Sequence, residues 1–277
     1  VMKFKSLFLL IGSLFLCQNI TAQNDTLRMN KKRVIIVGAT LSSSLLLSYY
    51  YVQNYWWSET QIPFHFDNGA DLTYALNVDK LGHFLGGLEA ADIFSSSMKW
   101  AGMQEEKALW YGVFFGSGLQ LAIEMKDGYA PYWGFSKWDL GLGMAGSLWP
   151  VFQYYDNNLK AIKFKFSYYK HSNIYWDLEA ERGKAASQIA WQDDYPNQTY
   201  WATFDLSHFI KTSFWPEWLN IAIGFGLDDT QYLSQKNTKM GGNNEWYIAL
   251  DYDIPKMFKR WKSPTAKRIK HWLNYIH

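Results

Sequence analysis

Asp79 and His83 stand four residues apart in the run DKLGHFLGG (residues 79–87), so on a helix they share one face, a turn from its start. Glu124 and Asp127 stand three apart at the end of a later apolar run, and Asp139 closes the stretch GFSKWD (residues 134–139) that opens another. An imidazole gathered with carboxylates can ligate a divalent metal, or pass protons as general acid and base. The candidate catalytic group is therefore Asp79, His83, Glu124, Asp127 and Asp139, with His83 and Glu124 as ligands for a divalent metal. Lys80, His65 and Ser136 are candidate binding residues beside it. No HExxH, GxSxG or phosphate-cradling glycine loop is present to select a reaction. Ser95, Ser96 and Ser97 lie about three turns beyond His83, too far to pair with it as a nucleophile.

Each residue also has a plainer reading. Asp79 suits the positive end of a helix dipole, and a lone histidine within an apolar helix is an ordinary core residue. Ser136 and Asp139 fit a capping box, with Ser136 as N-cap and Asp139 in the third helical position. Glu124 resists such treatment, because residues 108–125 contain no other charge. A carboxylate in that setting needs a partner, for which Lys80, His83 and Lys126 are the candidates. A buried polar network that pins helix register thus competes with a chemical site.

Whether these groups meet depends on the elements that carry them. Helices are expected over residues 79–100, 105–126 and 136–155. Short connections favour an up-down-up arrangement, which brings the start of the first, the end of the second and the start of the third to one end. The linker GYAPYWG (residues 128–134) would cap that end, and FHFDN (residues 64–68) places His65 in a turn just before the helices. Small residues recur at close-packing intervals: Gly82 and Gly86, Gly112 and Gly116, then Gly141, Gly143 and Gly146. An earlier run, residues 34–52, carries no charge over 19 residues, close to the length that crosses a bilayer. Lys31, Lys32 and Arg33 precede it. After export they would start on the outer side, against the positive-inside tendency, so a helix buried in protein or resting at an interface is the alternative.

Beyond residue 158 the pattern changes to period two. Residues 162–169, 199–206, 219–227 and 246–252 alternate apolar and polar positions, the mark of half-buried strands. The fold class expected is α+β: an N-terminal helical, membrane-associated bundle over residues 31–158, then a small antiparallel sheet over 159–255. A basic tail follows over 256–277.

Residues 1–22 read as a signal peptide, with Lys3 and Lys5 ahead of an apolar stretch at 7–16 and a small residue, Ala22, for cleavage. Leu16 before Cys17 does not fit a lipoprotein signal, so Cys17 belongs to the removed peptide. The mature chain then has no thiol for disulfides or metal–thiolate chemistry. The chain has 27 basic and 25 acidic residues, and cleavage removes two lysines and no acid, leaving a neutral protein without the electrostatics for nucleic acid. Aromatic residues make up 19% of the chain, a composition suited to surfaces that are dry on one side and wet on the other.

Taken in order, FHFDN, DKLGH, an apolar helix ending in Glu124, GFSKWD, YPNQTYW (residues 195–201) and WLNIAIGFG (residues 218–226) resemble the YfiM-like predicted periplasmic lipoproteins, in the long form of Bacteroidetes-type envelopes. The DKxxH and later acidic positions also resemble VanZ-like membrane proteins. The resemblance implies an envelope protein of uncharacterised function, exported, periplasm-facing and membrane-associated, with the outer membrane favoured. It brings no established catalytic residues. Similar sequences carry an Asn one turn after the Asp of GFSKWD, where this chain has Gly143. Membrane lipids and envelope proteins are the expected partners. A structural or assembly role is the first functional expectation. A lipid- or glycan-directed hydrolase, with or without a divalent metal, is the second.

Overall fold

A computed structural model describes residues 29–55, 57, 60–131, 133–181, 194–210, 214–228 and 243–277; the expected signal peptide at residues 1–22 lies outside them. The fold is α+β. Four long helices, α1 (Lys31–Tyr55), α2 (Val78–Trp100), α3 (Glu105–Asp127) and α4 (Lys137–Tyr155), precede strands β1 (Ile162–Tyr168), β2 (Gln198–Phe204), β3 (Leu219–Leu227) and β4 (Asn244–Tyr252). Shorter helices are α5 (Ile174–Glu181) between β1 and β2, α6 (Leu206–Phe209) after β2, and α7 (Ile254–Met257) and α8 (Pro264–Leu273) after β4. The chain forms two compact units, one running to Asp67 and resuming at Gly87–Val151, the other made of Asn68–Gly86 and Phe152–His277.

In the first unit, α1 starts where the Asn30 side chain accepts a hydrogen bond from the Arg33 backbone N–H at 3.2 Å. Ser, Thr, Asp and Asn are the residues that satisfy such orphan donors. Arg33 reaches across to the Trp100 carbonyl at 3.0 Å and lies over the Trp100 ring. Val37 and Leu41 pack with Phe94, Met98 and Ala108. Other apolar side chains of α1 face outward: Ile35 and Leu46 are 69% and 70% exposed. The Lys31–Asn54 stretch is long and apolar enough to cross a membrane by length and composition.

Glycines set how closely the other helices approach. A Cβ on Gly87 would lie 2.0 Å from the Gly143 carbonyl oxygen, one on Gly112 would lie 2.5 Å from that of Ala91, and one on Gly116 would meet Ser147 Oγ at 2.5 Å. Ser147 Oγ donates to the Gly143 carbonyl at 2.9 Å and bridges to that of Gly87 at 3.2 Å. Gly141, in the same sequence cluster, faces open space.

In the second unit the strands form an antiparallel meander in the order β1-β2-β3-β4. One face carries Phe164, Ala202, Ile223 and Ile248 in one cross-strand row and Phe166, Tyr200, Phe225 and Trp246 in the next. The start of α2 covers the β1–β2 half of it, with Phe84 against Phe164 and Gly82 against the Tyr200 hydroxyl. The opposite face is polar yet more deeply buried: Lys165, Thr203, Asn220 and Asp251 are all sealed from solvent. Lys165 Nζ bonds Asp251 Oδ1 at 2.8 Å, Asn220 reaches Oδ2 at 3.2 Å, and the His277 ring bonds Asp251 while stacking on Trp201. Burial alone would raise the Asp251 carboxyl. Hydrogen bonds from His277, Lys165 and Asn220 outweigh it and hold the carboxyl below its ordinary range. Residues 275–277 add backbone bonds to the free edge of β1, Phe166 N to Tyr275 O and His277 N to Phe166 O, which protects an edge otherwise open to pairing.

Candidate polar cluster

Glu124, at the end of α3, is 1% exposed. Its Oε2 accepts the backbone N–H of Ser136 at 2.8 Å, and Ser136 Oγ accepts the N–H of Asp139 at 3.1 Å. The capping box at α4 is thus half local. Ser136 caps as its position implies, but the reciprocal acceptor is Glu124 from the preceding helix. Asp139 is released from that role, and its carboxylate lies within 4.8 Å of that of Glu124, also buried. Two enclosed carboxylates at this distance repel unless donors, a shared proton or a cation offset their charge.

The second unit holds its own charged group. Asp71, in a short turn before α2, bonds Lys80 Nζ at 2.6 Å, and Asp79 Oδ2 lies 3.4 Å from the same nitrogen. The Asp71 carbonyl also accepts from Lys80, at 2.9 Å. A lysine buried to 5% exposure is thereby satisfied, as a buried cation must be. Ala75, Leu76 and Asn77 precede α2 with φ of 45°, 47° and 67°, a left-handed turn that sets the direction in which the helix starts. Leu76 is held there by the Asn244 side chain, which donates to its carbonyl at 3.0 Å. His83 follows one turn after Asp79 on α2 and is half-buried.

The remaining candidates have other work. Asp127 Oδ1 accepts from the Trp57 indole at 2.6 Å. Lys126, one of the expected partners of Glu124, instead donates to Gln53 and lies over the rings of Tyr49 and Trp57. His65 pairs through its backbone with Gly128 and Phe135, fastening the FHFDN turn to the linker after α3. Phe64, Phe66, Tyr129 and Phe135 meet edge to face around that junction. Gly134 (φ 133°) sits where a Cβ would strike the Asp67 backbone at 2.7 Å.

Two acids escaped the sequence reading as site residues. Asp71 lies nine positions before Lys80 with a turn between, so no helical period connects them. Glu89 is a charge set among the apolar residues of α2, with no motif around it. Burial and the neighbouring Asp92 push its carboxyl up to about 7.

One family model matches. Residues 67–155, about a third of the chain, match the family described as predicted periplasmic lipoprotein (DUF2279). The matched span contains α2, α3 and α4 with Asp71, Asp79, Lys80, His83, Glu124, Ser136 and Asp139; α1 and the sheet lie outside it. No curated protein and no solved structure matches the chain. The match supports an exported, envelope-associated protein of uncharacterised function.

Proposed function

We propose that this protein is a non-catalytic, membrane-associated component of the cell envelope, with structural or assembly duties, in which a polar cluster fixes the helix ends. Glu124 carries the reading: its carboxylate caps the helix that follows, a task of fold maintenance. Asp79, Lys80 and His83 belong to the same cluster. The short connections between α2, α3 and α4 favour this reading. The α1 helix attaches the chain to lipid, with its polar neighbours toward the periplasm. The finer likeness to the YfiM-like long form favours the outer membrane and envelope proteins as partners.

The adjacency of two buried carboxylates favours a second reading, a lipid- or glycan-directed hydrolase in which His83, Glu124 and Asp139 hold a divalent metal and Asp79 moves protons. Metal analysis of the purified full chain separates the two. The structural reading expects no stoichiometric metal, and a Glu124→Ala variant destabilised by about 2–4 kcal/mol, the cost of an orphaned buried donor and an uncompensated cluster. Stoichiometric zinc or another divalent ion, lost in His83→Ala, would replace it with the hydrolase.

A further inference from the structure

In α8 the usual orientation of an amphipathic helix is inverted. Ile269 and Leu273, one turn apart, are 41% and 47% exposed, and Ile276 continues their stripe at 59%. The residue α8 buries instead is Lys270, whose ammonium donates to the Phe258 carbonyl at 2.8 Å. A helix that encloses a lysine and displays two aliphatic side chains forgoes burial, and among the described residues none covers the stripe, which leaves it open to an apolar surface. Just ahead, Trp261 is 55% exposed and Met257 is exposed as well.

Charge identifies the cover. Residues 256–277 contain seven lysines and arginines and no acid. Lys256 is bound to Asp205, Lys259 to Glu217 and Lys270 to a carbonyl. Arg260, Lys262 and Lys267 are exposed and have no partner among the described residues. Bases interleaved with Trp and aliphatic side chains are the composition of a helix that lies in the headgroup layer, where cations meet lipid phosphates and the apolar stripe sinks to the acyl boundary.

We infer that the 257–276 segment docks on an anionic phospholipid surface, with Arg260, Lys262 and Lys267 on the phosphates and Trp261, Ile269 and Leu273 in the interface. This rests on the membrane-associated reading and adds a second, charge-selective attachment. Three bases near an anionic surface raise occupancy on the order of 100-fold, an effect that salt screens.

The test is hydrogen exchange on the full chain, reconstituted in phosphatidylcholine vesicles with or without phosphatidylglycerol and recovered by flotation. Phosphatidylglycerol is expected to slow exchange over residues 256–277 at least about 10-fold. Half-molar salt, or the triple variant Arg260→Glu/Lys262→Glu/Lys267→Glu, should reverse the effect while the chain still floats with neutral vesicles. Flotation with both lipids but identical exchange in this segment would overturn the inference and leave the membrane reading standing. A chain that floats with neither would overturn both.

Discussion

Glu124 and Glu89 are both acids set in apolar helices, and their surroundings treat them differently. Glu124 receives a backbone N–H and so remains tied to the fold as an acceptor. Glu89 has burial and Asp92 against its charge, and its carboxyl rises to about 7 from 4.5. A carboxyl raised in the folded state gives a sign opposite to the common one. Below about pH 4.5 it is protonated folded and unfolded alike and costs nothing; the penalty grows as pH climbs toward 7 and is constant above. Glu89→Gln is therefore expected to stabilise the protein at pH 8, by on the order of 2 kcal/mol, and to be neutral near pH 4. Thermal unfolding at the two pH values measures this; an equal shift at both would show that the fold does not raise the Glu89 carboxyl. At this scale the sequence disclosed types and helical periods. It showed Ser136 and Asp139 as a capping box, but not that Glu124 would take half of it, because that bond joins positions twelve apart across a linker. Asp71 was hidden for the same reason.

Helix packing here turns on a few backbone contacts, which allows a sharp contrast between neighbouring glycines. Gly87→Ala places a methyl 2.0 Å from a carbonyl oxygen of another helix, where only backbone movement can relieve it. A loss of about 2–3 kcal/mol is expected. Gly141→Ala, on open space, should instead gain about 0.5–1 kcal/mol through helix propensity. Denaturant midpoints of the two variants check this, and equal effects would refute the close-contact explanation. The spacing of small residues marked which helices approach one another; it could not distinguish Gly141 from Gly143, since facing depends on rotation about the axis. Strand alternation was similarly informative and incomplete. The register and the two faces of the sheet follow the period-two pattern, yet the polar face is the better buried one. The Lys165–Asp251 pair makes that burial tolerable, and such a pairing, 86 positions apart, leaves no local signal.

The whole chain combines an apolar α1, a helical part matched by the periplasmic-lipoprotein family and a sheet with a basic C-terminal helix. The α+β class was legible because long apolar runs and period-two segments occupy different halves of the sequence. In the function proposed above, the polar groups from 79 to 139 respond as one cluster, an expectation that rests on the short connections between α2, α3 and α4. That cooperation is measurable without any ligand. In a double-mutant cycle by denaturant unfolding, His83→Ala and Glu124→Ala should be non-additive, with a coupling energy of at least about 1 kcal/mol. Additive losses would mean that the imidazole and the carboxylate do not share a site, and would contradict the account.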